Sequence, residues 1–327
     1  MALPTRPLGS SGVDITTVGL GTWAFGKYGW GHQDDKESIA VIRQAVETGI
    51  NWVDTAAIYG LGHAEEVVAD ALEGIPESER PYVFTKVGIT WDPEGETTRH
   101  VMDPATVRRE IDASLRRLRT DSIDLYQVHW PPRDADTPLE QYWEVMAELK
   151  AEGKVRAIGL SNHGVTHLEL AEKIAHVDAL QPPFSAIARG AAAEIAWADA
   201  HETGVIVYSP LQSGLLTGAF SAGRVAALPD GDWRRSHADF TTGLDANLAL
   251  AGALVPIAER HGVSVAAIAV AWVLAWPGVT GAIVGARQPR QLGGWLPAAA
   301  LRLTDADLDE IAGAIGSAGA GAGPARP

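Results

Sequence analysis

The stretch Asn51–Gly60, NWVDTAAIYG, decides the reading of this chain. Its short apolar run closes on a carboxylate, Asp54, and a phenol, Tyr59, follows in the loop. Two further runs of strand character also close on chemically active side chains. YVFTK ends on Lys86, and LYQVH ends on His129. An unpaired charge at the end of an apolar strand is costly, so Asp54 and Lys86 are expected to pair. A phenol has an unperturbed pKa of about 10, too high for an efficient acid at neutral pH. A nearby ammonium stabilises the phenolate and lowers that value. A carboxylate beside the ammonium keeps it charged and in place, and an imidazole can orient a substrate oxygen. Four such groups, delivered from three neighbouring strands, can protonate a carbonyl oxygen. The carbonyl carbon then needs a hydride, which implies a nicotinamide cofactor.

Outward from this stretch, strand-like and helical runs alternate with a repeat of about 35 residues. The strand-like runs end at Gly19–Gly21, Asp54, Lys86, His129, Ser161, Gln181, Ser209 and Gly285. Amphipathic stretches lie between them at Lys36–Glu47, Ala64–Leu72, Pro104–Leu118, Leu139–Ala151, Val165–Ala175, Ala191–His201 and Val263–Ala275. Pro104 at a helix start, and Gly49, Gly153 and Gly204 just past helix ends, punctuate them. Eight such units predict an α/β fold, a (β/α)8 TIM barrel, as one domain over 1–327. In that fold the active site lies at the C-terminal ends of the strands, where Asp54, Lys86 and His129 fall. Three segments stand outside the repeat. Residues 5–17 read as a β-hairpin capping the barrel bottom. Residues 216–246, with Trp233, form a long excursion after strand seven, and a loop of that length is expected to be functional. Residues 316–327 are rich in Gly, Ala and Pro and are expected to be disordered.

The chain has 327 residues, 46% hydrophobic, with a formal net charge of −15. That acidity argues against nucleic acid and anionic membranes as partners. The absence of cysteine excludes disulfides, thiol catalysis and thiolate metal sites. MALPTRPLGSSG has no apolar core of a signal peptide, and the most apolar stretch, Val263–Trp276, is too short to span a bilayer. A cytoplasmic protein is the expectation. The oligomeric state is open.

The chain strongly resembles the aldo-keto reductase family from about residue 5 to residue 310. The pieces occur in the family's order: GLGTW (19–23), DTAAIYG (54–60), TK (85–86), LYQVHWP (125–131), GLSN (159–162), Gln181, YSPLQSGLLTG (208–218) and GARQPRQ (285–291). Among branches it is most similar to bacterial oxidoreductases related to potassium-channel β subunits. The resemblance carries the family's catalytic tetrad onto Asp54, Tyr59, Lys86 and His129. It implies that Gln181 and Asn162, with Ser161 beside them, hold the nicotinamide carboxamide and that Tyr208 stacks on the ring. Ser209, Pro210, Leu211, Ser213, Gly214 and Leu215 would wrap the pyrophosphate. Gly285, Arg287 and Gln291 would hold the adenosine end, and Gly21, Thr22, Trp23 and Asp54 would complete the cofactor contacts. One departure is Trp295, where the family often has an asparagine.

The bidentate fork of Arg287 suits a 2′-phosphate, so NADP(H) is the expected cofactor. Trp23, Trp91 and Trp130 follow strand ends and are candidates, with Tyr59 and His129, to line a pocket for a small aldehyde or ketone. Phe25, Tyr28 and Trp30 of the first loop could add to it. For these aromatics, loop packing is an equal reading. Trp52, Trp143, Trp197 and Trp272 read as core. No metal is expected, since no His or carboxylate stands at metal spacing near His129, and Asp134 and Asp136 read as solvated. A Rossmann reading fails for want of GxGxxG after a strand. A hydrolase reading fails because Asp54 has no second carboxylate at strand-end spacing. The alternative is an NADP(H)-binding regulatory protein of the channel-β-subunit type with little turnover.

Overall fold

A computed structural model describes residues 2–26, 33–92, 94–133 and 137–327. A short antiparallel hairpin opens the chain, β1 (Thr5–Pro7) and β2 (Asp14–Thr16). The barrel then begins with β3 (Val18–Gly21), α1 (Asp35–Glu47), β4 (Trp52–Asp54), α2 (His63–Leu72) and β5 (Tyr82–Val87). A second hairpin, β6 (Ile89–Trp91) and β7 (Thr98–His100), precedes α3 (Pro104–Leu118) and β8 (Ile123–Val128). There follow α4 (Leu139–Ala151), β9 (Val155–Ser161), α5 (Val165–Glu172), β10 (Ala179–Gln181), α6 (Ala192–Ala200) and β11 (Gly204–Val207). The excursion contains α7 (Ala222–Ala226) and short 3-10 turns. The chain ends with α8 (Leu244–Ala253), α9 (Val255–His261), α10 (Val265–Leu274), β12 (Val279–Gly285), α11 (Leu292–Trp295) and α12 (Asp305–Ala318). Eight strands, β3, β4, β5, β8, β9, β10, β11 and β12, pair in that circular order and close a parallel barrel.

Strand alternation builds the two cores. Along β4, Trp52 and Asp54 enter the barrel while Val53 packs outward on the helices. Phe84, Leu125, Ala157, Ala179, Ile206 and Ile283 fill the barrel beside Trp52, and Leu8, Val13 and Ile15 of the hairpin join them. The hairpin therefore closes the floor, and Trp52 Nε1 donates to Thr16 O at 2.8 Å. Helix boundaries follow their chemistry. Asp103 caps α3 by accepting from Thr106 N at 3.0 Å, and Pro104 occupies the first turn where no N–H is required. Every residue of α10 is buried, as its uninterrupted apolar run demands. No single helix among the described residues is long and apolar enough to cross a membrane.

The terminal segment departs from its expected disorder. α12 continues to Ala318, capped by a box between Thr304 and Asp307. Beyond it, Ala322 bridges Ala188, and the buried Arg189 guanidinium donates to Ala320 O at 3.1 Å and Gly323 O at 3.3 Å. Gly321 and Gly323 have positive φ, and a Cβ at either would collide with the backbone of Ile187 or Arg189. These glycines serve close backbone approach rather than flexibility. Trp52, Trp143 and Trp272 are buried as expected, whereas Trp197 is half-buried and stacks on His201 at 4.0 Å.

Candidate active site

The C-terminal mouth of the barrel brings Asp54, Lys86, Tyr59 and His129 together. Lys86 Nζ donates to Asp54 Oδ1 at 2.5 Å and to Thr55 O at 2.9 Å, and both charged side chains are almost wholly buried. The same nitrogen lies 5.3 Å from the centroid of the Tyr59 ring. The Tyr59 and His129 rings meet edge to face at 5.7 Å. The loop carrying Tyr59 is seated against the first loop. A Cβ on Gly26 would lie 2.5 Å from Gly60 N and 2.7 Å from the Tyr59 carbonyl carbon.

Beneath these four lies a layer that sequence reading missed. Gln181 Nε2 donates to Asp54 Oδ2 at 2.8 Å and to Gln127 Oε1 at 3.2 Å, and Gln127 Nε2 stands 3.5 Å from the same Asp54 oxygen. Gln127 was legible by parity, since it precedes His129 by two residues in a strand and shares its inward face. Gln181, expected at the nicotinamide carboxamide, has its amide nitrogen committed to Asp54 inside the barrel.

The electrostatics differ from the expectation in one respect. Burial, and then the Asp54 charge, hold the Tyr59 phenol well above its ordinary value of 10.0. Lys86 does not pull it down, because desolvation and the nearby carboxylate outweigh an ammonium at that range. The phenol is therefore protonated throughout the neutral range. Burial lowers the Lys86 ammonium from 10.5, opposed by Asp54 and by Glu65. Burial, with Lys86 and His100 adding to it, holds His129 well below 6.5, so its ring is neutral. The site thus presents a protonated phenol and a neutral imidazole beside a buried ion pair.

The expected cofactor residues line the same mouth. Thr22 donates from N and Oγ1 to Asp54 O at 3.0 and 3.1 Å, and Gly21 pairs with Gly285 where β3 meets β12. Ser161 Oγ donates to Gln181 O at 2.9 Å. Asn162, in the left-handed region, donates to His129 O at 2.9 Å and accepts from Tyr208 Oη at 2.8 Å. From Ser209 to Gly214 the backbone is unusual: Ser209, Gln212, Ser213 and Gly214 all have positive φ. The change from right-handed Leu211 to left-handed Gln212 is the kind of backbone turn that can direct neighbouring N–H groups at an anion such as a pyrophosphate. Pro210 and Leu215 are buried beneath this segment, and Leu211 is half-buried. Arg287 Nε donates to Gln33 Oε1 at 2.9 Å. Gln291 Oε1 accepts from Arg287 N at 2.6 Å and Gln288 N at 3.0 Å, so it shapes its own loop instead of reaching outward. Trp295 is 2% exposed and packs in the core.

The substrate candidates separate. Trp23 is 43% exposed at the mouth, and its ring lies 5.9 Å from Trp233 of the excursion. Trp130 is half-buried with Arg133 5.0 Å from its ring. Trp91 is held on the β6–β7 flap, 5.9 Å from the Arg117 guanidinium of α3, and is engaged with that helix rather than with the four-group cluster. Phe25 is core. Tyr28, Trp30, Asp134 and Asp136 lie outside the described residues. Among the described residues no cluster of three or more His, Cys, Asp or Glu could hold a metal ion.

Comparison with known proteins agrees with this geometry. Residues 17–315 match the model of the Aldo/keto reductase family. Aldo-keto reductase YhdN of Bacillus subtilis is 36% identical over 289 residues, covering 87% of this chain and 85% of that protein. The NADH-specific methylglyoxal reductase of Escherichia coli is 33% identical over 318 residues, covering 92% and 95%. The structure of a glycerol dehydrogenase from Gluconobacter oxydans superposes with a TM-score of 0.88 at 35% identity, covering 97% of this chain and 96% of that one. Fold, strand-end chemistry and similarity across nearly the whole chain converge: the protein belongs to the aldo/keto reductase family, oxidoreductases of carbonyl compounds that work with a nicotinamide cofactor.

Proposed function

We propose that the chain reduces small neutral aldehydes or ketones to alcohols with NADP(H), and that Tyr59 is the proton donor. The observation that carries this reading is the Tyr59 ring set edge to face on His129 and 5.3 Å from Lys86 Nζ, above the buried Lys86–Asp54 pair. His129 Nε2 or Nδ1 hydrogen-bonds the carbonyl oxygen and aims it at the phenol. Tyr59 passes its proton to that oxygen as negative charge develops there. Lys86 then stabilises the phenolate, and Asp54, held by Gln181, keeps the ammonium in place. A bound nicotinamide supplies the hydride to the carbonyl carbon. When that cofactor is bound, Asn162 and Tyr208 would hold its nicotinamide end, the 209–215 segment its pyrophosphate and Arg287 its 2′-phosphate.

The preference for NADP(H) rests on Arg287, whose guanidinium is oriented by the buried Gln33. The E. coli relative is named NADH-specific, so the cofactor assay is run with both forms. Excursion 216–246 covers the cofactor in this reading, supported by the Trp233–Trp23 contact across the mouth. The test is oxidation of NADPH and of NADH against neutral aldehydes, ketones, methylglyoxal and keto acids. Turnover of a neutral carbonyl with a lower KM for NADPH is expected. Cofactor binding without turnover of any carbonyl would overturn the catalytic reading in favour of a regulatory one.

A further inference from the structure

Behind the candidate active site, on the outer face of the barrel wall, lies a second set of buried charges. In β5 the alternation that sends Phe84 and Lys86 inward sends Thr85 outward. Thr85 Oγ1 donates to Glu65 Oε1 of α2 at 2.6 Å. Glu65 is 0% exposed. Its other oxygen accepts from Arg117 Nε of α3 at 2.6 Å, and Arg117 Nη2 is fixed by Ser114 Oγ at 3.2 Å. The groups around this pair come from every element packed there: Lys86 across β5, Glu110 and Arg117 of α3, and the buried Tyr126 of β8.

Stability does not ask for this arrangement. A buried ion pair is often no more stabilising than well-packed apolar residues of the same volume. The placement of the carboxylate does have an electrostatic consequence. Lys86 is buried, and the carboxylate it pairs with inside the barrel, Asp54, also accepts from Gln181. Glu65 adds a second negative charge on the far side of the same strand, hydrogen-bonded to Thr85, the residue next to Lys86 in the chain.

We propose that Glu65 is a positioning residue for the reaction, an external counter-charge that keeps Lys86 protonated through the barrel wall while its Thr85 bond fixes the Lys86 segment of β5. Arg117 holds the Glu65 carboxylate in that place. The inference rests on the catalytic reading of Lys86 above. Of the two groups whose proton loss ends reduction at high pH, Lys86 is the lower, since burial depresses the ammonium and raises the phenol. The alkaline limb of kcat/KM therefore reports Lys86.

The experiment compares wild type with Glu65→Gln, Glu65→Asp and the double variant Glu65→Gln/Arg117→Met. The double variant removes the buried carboxylate together with its partly buried partner and guards against a single variant that fails to fold. Glu65→Gln is expected to move the alkaline limb down by about one pH unit, a tenfold loss of rate at a pH on the wild-type limb, and the double variant, which also loses the Arg117 cation, to move it down by less. Glu65→Asp keeps the charge and should keep the limb. The same shift should appear without any turnover in the titration of Lys86 followed through its labelled side-chain carbon, which is practical with six lysines in the chain. A limb and a Lys86 titration that stay in place in the folded charge-removing variants, with only thermal stability lowered, would overturn the proposal. If instead the wild type shows no carbonyl reduction, the catalytic reading fails, and the Lys86 titration still decides the electrostatic claim.

Discussion

Glu110 gives the stability of this protein a pH dependence that can be worked out from its surroundings. Burial raises its carboxyl from 4.5 to about 7, against the pull of the Gly88 N–H, which it accepts at 2.9 Å, and of Arg117 and Arg109, and with Glu65 adding to the rise. A carboxyl whose pKa is raised on folding binds its proton more tightly in the native state. Its contribution is complete below about 4.5 and is lost as pH rises through 7. At 1.36 kcal/mol per pH unit, the interval is worth up to about 3 kcal/mol. In a chain of this size that corresponds to roughly 4–5 °C in Tm between pH 5 and pH 8. Glu110→Gln is neutral at every pH, and its amide oxygen can still accept from Gly88. The assay is Tm against pH for both proteins, taking the difference so that other titrating groups cancel. The curves should converge near pH 5, and the variant should be the more stable above pH 7. A difference that stays flat across this range would refute the reasoning.

Other consequences follow from the same contacts. Lys86→Met leaves Asp54 buried without its ammonium and should cost about 3–5 kcal/mol in unfolding, most of it recovered in the double variant with Asp54→Asn. A single-variant loss under about 1 kcal/mol would contradict the buried pair. Gly26→Ala pushes a Cβ against Gly60 and Tyr59. It should lower stability by about 1–3 kcal/mol and kcat by roughly 10–100-fold, with cofactor affinity little changed. Arg287→Ala should weaken NADPH by roughly ten- to hundredfold and hardly affect NADH, measured by fluorescence titration. Equal affinities for the two cofactors in the unmutated protein would refute that assignment.

Much of this was legible in the sequence because the two periods of the chain are clean. α3 and α4 run over the same residues that their apolar spacing predicted. The strand ends carrying Asp54 and Lys86 were legible because each charge terminates an apolar run. The β6–β7 flap was not. Its strands are three residues each, and its signal is only the turn chemistry of Asp92, whose carboxylate accepts from Glu96 N and Thr97 N. The tail misled because glycine is read as flexibility, whereas Gly321 and Gly323 are there for contact with the Ile187–Arg189 backbone. The direction of the Tyr59 shift was misread because a list of neighbouring charges omits desolvation, which here is the larger effect. Gln127 and Glu65 were missed because each acts through a side chain already identified, and neither ends a strand.

The central claim is that Tyr59 delivers the proton. The most direct measurement is kcat of Tyr59→Phe in carbonyl reduction, beside its cofactor dissociation constant. Removal of one hydroxyl leaves the ring contact with His129 in place, so the fold and cofactor binding should hold. Loss of a general acid should lower kcat by about 100-fold or more. A variant that binds the cofactor normally and keeps more than about a tenth of wild-type kcat would contradict the account.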